Sequence, residues 1–198
     1  GSANYEIPIF TPPGIGDLQP ELSIKYNSQA GNGLLGVGFN LTGLSAITRC
    51  SRTRATDGIS RVSEPPNYDN SDAFCLDGQR LILVAGTNGT SGAEYRTEVD
   101  GFSRITITSG NSYTPLRFQV ETKGGQTLTY GLSSNSRIYL TGHQSDSSQN
   151  TKIISLWAVE EIEDVGGNVV HFDYQKETGS TEYRPVKVSY GASGYKAS

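Results

Sequence analysis

Short runs in which apolar and polar residues alternate are the feature that most constrains this chain. They occur at residues 22–26, 118–121, 169–174 and 186–190. A period of two places every second side chain on one face, as in a half-buried β-strand. Only residues 156–162 offer a helical spacing, and they fit a strand equally well. The chain is therefore predicted to be all-β.

Turn sequences separate these runs at intervals of roughly 8–12 residues. Asp77 and Gly78 stand between two apolar runs and suit a type I′ turn, in which both central residues need positive φ. The sequence thus predicts short, mostly antiparallel strands and hairpins in a single domain, residues 5–190. Residues 1–4 are interpreted as a leader with a cloning scar, and residues 191–198 as a flexible tail.

Composition excludes several functional classes. No apolar run approaches the roughly 20 residues that span a bilayer, and no signal-peptide pattern is visible. A net charge of −4 without a basic block argues against nucleic-acid binding. The absence of methionine favours an excised fragment of a longer protein.

The two cysteines, Cys50 and Cys75, are too few for a disulfide framework or a zinc site. A bond between them would close a loop worth roughly 3–4 kcal/mol in the chain-entropy model. Two buried thiols in a strand-rich core are the other interpretation, because free cysteine is among the most buried residue types. Both remain open at this point.

A glycine-rich segment, residues 31–39, indicates a tight loop, because glycine permits positive φ and close backbone approach. Its apolar residues are expected to plug a sheet. The residues concerned are Gly31, Gly33, Leu34, Leu35, Gly36, Gly38 and Phe39. The glycine spacing also matches a phosphate-binding G-x-G-x-x-G pattern, but no helix follows it, so nucleotide binding is not expected.

Residues suited to catalysis are few. His143 lies in the polar loop 142–150, and His171 with Asp173 is expected to form a solvated or shell-lining pair. Glu161 and Glu163 have the spacing of an ADP-ribosyltransferase Glu-x-Glu, but no Ser-Thr-Ser strand accompanies them.

The acidic segment 69–72 lacks the loop of a calcium site and is explained by a turn. We therefore predict no catalytic residue, no cofactor and no metal, and expect Trp157 to anchor the core.

A carbohydrate-binding or cell-surface adhesion β-module is the alternative function. The chain has 11 tyrosines and one tryptophan, and such rings can stack on sugars. The candidates are Tyr5, Tyr95, Tyr113, Tyr139 and Trp157. Tyrosines that line the inside of a sheet are the commoner arrangement.

Residues 22–41, which read LSIKYNSQAGNGLLGVGFNL, closely resemble the opening of the SpvB-type amino-terminal domain. That domain occurs in the Salmonella virulence plasmid B protein and in the B components of insecticidal toxin complexes. The likeness continues through residues 43–50, 74–81 and 164–174, and so covers the chain from about 5 to about 190. Lys25 and Phe39 stand where serine and tryptophan are expected, and both changes are mild.

This resemblance implies a structural role without catalysis. In toxin complexes the domain begins a hollow β-sheet shell, built with RHS/YD-type repeats, that encloses a cytotoxic carboxy-terminal fragment. Residues 164–174 are similar to one YD-type repeat unit, and residues 183–190 to its returning strand. ADP-ribosyltransferase activity, where the family has it, belongs to a separate carboxy-terminal domain.

The implied partners are the downstream RHS-type shell of the same polypeptide and the toxin-complex C and A components. The implied location is outside the bacterium, after secretion. Because neighbouring repeats would cover the open sheet edges, an isolated fragment is expected to self-associate.

Overall fold

The fold is described from a computed structural model, which covers residues 1–33, 35–99, 101–110, 114–140, 153–176 and 183–191. Leu34, Tyr113, the loop 142–150 with His143, and tail residues 192–198 carried predictions above and lie outside the described residues. The described ranges contain one 3-10 turn, Ile15–Asp17, and one short helix, α1, Arg54–Asp57. No helix in those ranges is long and apolar enough to cross a membrane.

Strands make up most of the described chain. The first nine are β1 Asn4–Pro8, β2 Ser23–Asn27, β3 Asn32–Gly33, β4 Gly36–Val37, β5 Phe39–Thr42, β6 Ala46–Cys50, β7 Arg52–Thr53, β8 Ser63–Glu64 and β9 Ala73–Leu76. The others are β10 Gln79–Ala85, β11 Glu94–Thr97, β12 Arg104–Gly110, β13 Pro115–Glu121, β14 Thr127–Tyr130, β15 Arg137–Tyr139, β16 Ile154–Glu163, β17 Val169–Lys176 and β18 Tyr183–Ser189. Every pairing between them is antiparallel.

Eight of these strands close into a barrel. Pairing runs from β6 through β9, β10, β11, β12, β13 and β14, and the ring closes because β16 pairs with both β14 and β6. The ambiguous segment 156–162 is therefore a strand, part of β16. The prediction of an all-β, antiparallel fold is confirmed.

The barrel interior is filled by the apolar side chains that alternate along its strands and point inward. An eight-stranded ring is just wide enough for this. Ile105 and Ile107 of β12 are both fully buried, and so is Trp157 of β16. The Trp157 ring packs edge-on against Phe74 and Phe118, with centroids 5.8 and 5.0 Å away. Each large apolar side chain buried here stabilises the fold by roughly 1.5–3 kcal/mol.

The hairpin of β17 and β18 extends the sheet beyond the barrel from the second half of β16. Val170, Phe172 and Tyr174 of β17 are buried against the core, and the Tyr174 hydroxyl donates to the carbonyl of Val159 at 2.6 Å. The segment before β2 meets the end of this hairpin, where the Tyr190 hydroxyl donates to the carbonyl of Pro12 at 3.0 Å.

A separate sheet, here called the N-terminal sheet, is formed by β1, β2 and β5. The register of its strands places large apolar side chains on one face and mostly polar ones on the other. One face, the apolar face, carries Tyr5, Ile7, Ile24, Tyr26, Phe39 and Leu41. The opposite face carries Asn4, Glu6, Pro8, Ser23, Lys25, Asn27, Asn40 and Thr42. The sheet is therefore strongly two-sided.

Candidate functional site

The glycine-rich loop lies in the N-terminal sheet and not in the barrel. Leu35 and Phe39 are 49% and 39% exposed, so the expectation that they plug a sheet was wrong. Phe39 packs on Tyr26, with ring centroids 4.7 Å apart, on the apolar face. These side chains are exposed because the loop belongs to the N-terminal sheet, and no other described residues cover the apolar face of that sheet.

At three of the four loop glycines, the backbone geometry disfavours any other residue. Gly36 and Gly38 have φ of 114° and 80°, in the region that favours glycine. A Cβ on Gly33 would lie 2.2 Å from the carbonyl oxygen of Phe39, whereas a Cβ on Gly31 would meet open space. The loop is followed by the strand β5, so it has no phosphate-binding helix N-terminus.

The hairpin between β9 and β10 turns through Asp77 and Gly78, with φ of 49° and 80°. Positive φ at both positions is what a type I′ turn requires. The Asp77 carboxylate also accepts hydrogen bonds from the Ala46 amide at 2.8 Å and the Ser45 hydroxyl at 2.6 Å. The turn is thereby tied to the start of β6.

A buried guanidinium is the most unusual group of the barrel. The Arg49 side chain is 1% exposed and lies 5.5 and 5.7 Å from the ring centroids of Phe74 and Trp157. It donates to the Asp72 carboxylate and to the Ile154 carbonyl, both at 2.8 Å. Burial lowers the pKa of Arg49, and the charge of Asp72 opposes that shift.

Sequence reasoning missed this pair. The sequence did contain a sign of it, because Arg49 lies two residues after Ile47 in β6 and so on the same, buried face of the strand. Asp72 also accepts hydrogen bonds from the amides of Asn67 and Tyr68, both at 2.7 Å. These bonds explain the acidic segment 69–72 as a loop built around a salt bridge. Within the described ranges, no group of three or more His, Cys, Asp or Glu residues could hold a metal ion.

Cys50 and Cys75 form a disulfide that joins β6 to β9, with Cα atoms 5.9 Å apart. Of the two interpretations of these cysteines, a disulfide or two buried thiols, the structure shows the disulfide. Each cysteine is the chain neighbour of a core residue, Arg49 or Phe74, and points to the other side of the sheet. Because both sulfurs are bonded, neither is a thiol nucleophile.

His171 is buried, at 6% exposure, where a solvated or shell-lining position was expected. Its Nδ1 lies 3.2 Å from a Glu161 carboxylate oxygen, and its Nε2 lies 3.4 Å from one of Asp173. Glu161 is the cross-strand neighbour of His171, so this carboxylate of the Glu-x-Glu pair already has a structural partner. The cluster links β16 to β17.

Four of the five aromatic residues proposed to stack on sugars lie in the described chain, and these four do not converge. Tyr95 and Trp157 are 1% and 0% exposed and belong to the barrel core. Tyr139 is half-buried, whereas Tyr5 is exposed on the apolar face of the N-terminal sheet. A sugar platform built from this set is therefore not present in the described chain.

One cleft of the described chain has a volume of about 400 Å³. It is lined by residues including Arg52, Asp57, Arg80 and Asn88. Its charged groups are engaged in ion pairs, Arg80 with Asp57 and Arg52 with Glu64. These ion pairs hold the walls of the cleft together.

β1 and β5 are the outer strands of the N-terminal sheet, and β18 is the last strand of the larger sheet. The Ile9 amide donates to the Leu22 carbonyl, which continues the β1–β2 ladder. Odd residues of β1 therefore face β2, and Asn4, Glu6 and Pro8 direct their backbone groups outward. Proline at such a position suits an outer strand, because no N–H is lost from the ladder.

Comparison with solved structures identifies the same fold in larger proteins. The crystal structure of TcdB2-TccC3 matches 96% of this chain with a TM-score of 0.69 at 22% identity, and the match is 10% of that chain. The Photorhabdus luminescens Tc holotoxin pore matches with a TM-score of 0.67 at 23% identity, covering 96% of this chain and 9% of that chain.

The N-terminal domain of effector protein SpvB from Salmonella typhimurium strain LT2 has a TM-score of 0.66 at 21% identity. That match covers 91% of this chain and 62% of the solved chain. These likenesses establish the fold.

A curated relative is the mono(ADP-ribosyl)transferase SpvB of Salmonella typhimurium, which is 26% identical over 178 residues. The match takes in 81% of this chain and 27% of that protein, so the chain spans about a quarter of its relative's length. The family model for the Salmonella virulence plasmid 65kDa B protein matches residues 1–190. The resemblance drawn from the glycine-rich motif is confirmed, and the chain belongs to the SpvB family.

Proposed function

We propose that this chain is a non-catalytic structural domain that forms the start of the shell of a toxin-complex B-type or RHS-type toxin. The shell would encapsulate a cytotoxic carboxy-terminal fragment and deliver it. The observation that carries the proposal is the fold match of 96% of the chain to a small part of the TcdB2-TccC3 assembly.

The packed barrel supports a structural role. Its interior is occupied by rings such as Trp157 and Phe118, and the buried guanidinium of Arg49 is paired with the carboxylate of Asp72. The described side chains therefore fill the lumen. The ADP-ribosyltransferase activity named for SpvB would reside outside the segment that this chain matches.

The outer strands β1 and β18 support a place within a larger β-structure. An outer strand presents unpaired backbone groups, which further strands of the same polypeptide could cover. The partners would then be the downstream shell and the toxin-complex C and A components. The assembled protein would act after secretion from the bacterium.

Limited proteolysis of the complete polypeptide, assembled with its C component, tests the proposal. With residues 1–190 present, the carboxy-terminal fragment should resist cleavage. In a form that lacks residues 1–190, the fragment should be cleaved, because the shell would be open. Equal protection of the fragment in both forms, or cleavage in both, would contradict the proposal. Lys25→Ser, on the polar face of the N-terminal sheet, is the control that should keep protection.

The isolated 198-residue chain offers a second test. Uncovered outer strands should make it dimerise or aggregate as its concentration rises, which light scattering measures. A strictly monomeric species at high concentration would show that β1 and β18 are not open for pairing.

A further inference from the structure

The apolar face of the N-terminal sheet has the composition of a core and the exposure of a surface. Tyr5, Ile7 and Phe39 are 66%, 45% and 39% exposed, and the other three side chains of the face are half-buried. Sheets with one apolar face are normally covered by a second layer of structure. In the described chain the barrel covers its own core, and this face has no such layer.

The size of the face indicates what kind of partner it suits. Its exposed part is on the order of 400 Å², taking roughly 150–250 Å² for each large side chain. A freely diffusing partner, including a second copy of this chain, normally needs about 800 Å² on each side. A smaller face is enough when a covalent connection raises the effective concentration to about the millimolar range. The area therefore favours a partner in the same polypeptide.

The charge of the face indicates the chemistry of that partner. All six side chains of the face are uncharged. Lys25 and Glu6 pair in register on the opposite face, so no basic side chain of these strands accompanies the apolar one. Attachment to a membrane surface normally combines apolar residues with lysine and arginine. The geometry fits an uncharged, apolar β-layer.

The solved relatives contain enough additional chain to supply such a layer. The matching part is 62% of the SpvB N-terminal domain structure and 10% of the TcdB2-TccC3 chain. We propose that the apolar face is the docking surface for an uncharged β-sheet layer contributed by the same polypeptide outside residues 1–198. This rests on the proposed function, because that function places the chain in a longer β-rich protein.

Hydroxyl-radical footprinting tests the docking, since tyrosine and phenylalanine rings are oxidised in proportion to their exposure. The isolated chain and the complete polypeptide are compared at equal radical dose, calibrated with an added reporter peptide. Oxidation of Tyr5 should fall by roughly tenfold in the complete polypeptide, as its exposure drops from 66% to that of a buried side chain. Oxidation of Phe39 should fall in parallel.

Other occupants give different results, and each would overturn the proposal. Equal oxidation of Tyr5 and Phe39 in both proteins would mean that no layer covers the face. Protection in the isolated chain that grows with concentration would assign the face to a second copy. Protection of the isolated chain by vesicles of phosphatidylcholine and phosphatidylserine would assign it to a membrane surface.

A pair of variants in the complete polypeptide isolates the face itself. Tyr5→Ser combined with Ile7→Ser should weaken the docking and restore several-fold faster oxidation of Phe39. Lys25→Ser, on the opposite face of the same sheet, should leave Phe39 protected. Unchanged Phe39 protection in the double variant would count against the proposal, and slow hydrogen exchange of the β12 and β16 amides verifies that the barrel is folded in each protein.

The proteolysis experiment separates this inference from the proposed function. Protected rings together with a cleavable carboxy-terminal fragment would leave the docking intact and refute encapsulation. Exposed rings together with a protected fragment would refute the docking and leave encapsulation intact.

Discussion

The barrel and the N-terminal sheet are built from the same alternating pattern, yet only the barrel buries its apolar phase. Ile105 and Ile107 alternate in β12 and are completely buried, whereas Tyr5 and Ile7 alternate in β1 and are largely exposed. The difference lies in closure, because ring formation places the inner faces of eight strands against one another. Alternation therefore determines which face of a strand is apolar, and the surrounding architecture determines whether that face is covered.

The largest expected effect is alkaline unfolding of the barrel. Burial raises the pKa of Tyr95, Tyr130 and Tyr174 above the ordinary value of 10.0. A raised folded-state pKa contributes stability that is fully present below the unfolded-state value and is lost as pH rises above it. Above about pH 10 these residues should ionise together with unfolding. The tyrosinate absorbance contributed by these buried residues should therefore appear together with the change in Trp157 fluorescence, and their ionisation with the barrel still folded would contradict this.

Removing the partner of the buried guanidinium should give the next largest effect. Asp72→Ala leaves Arg49 buried without its counter-charge, which should cost about 3–5 kcal/mol of unfolding free energy. Urea titration followed by Trp157 fluorescence measures this. The matched control is Glu94→Ala, which breaks the ion pair with Arg104 on the barrel surface and should cost much less, because water screens an exposed pair. An equal loss of unfolding free energy in the two variants would show that the buried Arg49–Asp72 pair has no special role in barrel stability.

Loss of the disulfide should weaken the barrel less. Replacing Cys50 and Cys75 together by serine frees the loop between them, for an expected cost of about 2–4 kcal/mol. Urea titrations of the oxidised protein, the reduced protein and the double variant measure it. The reduced protein and the variant should agree closely, and a reduced protein as stable as the oxidised one would show that the bond does not stabilise the barrel.

The smallest of these effects should be confined to the N-terminal sheet. Gly36→Val places a β-branched residue at a φ of 114°, at a strain of about 1–3 kcal/mol. Amide exchange in β4 and β5 should accelerate, while the Trp157 unfolding transition should hardly move. Gly31→Val is the control, because a Cβ there meets open space. If Gly36→Val lowers the barrel transition by the full amount, the two regions unfold as one unit.

The sequence was informative where a local pattern determines structure. The alternation at 118–121 and 169–174 and the Asp77-Gly78 turn predicted strands and a hairpin, because period and positive φ are local properties. Closure between β14 and β16 could not be predicted, since it depends on contacts distant in sequence. The Arg49–Asp72 pair and the exposure of Phe39 were missed for the same reason.

Hydrogen exchange of the amides in the isolated chain and in the complete polypeptide tests the distinction between the two regions most directly. Barrel amides, such as those of β12 and β16, should exchange equally slowly in both proteins, because the ring is closed within this chain. Amides of β1, β2 and β5 should exchange quickly in the isolated chain and become protected in the complete polypeptide. An N-terminal sheet that exchanges as slowly as the barrel in the isolated chain would contradict the account.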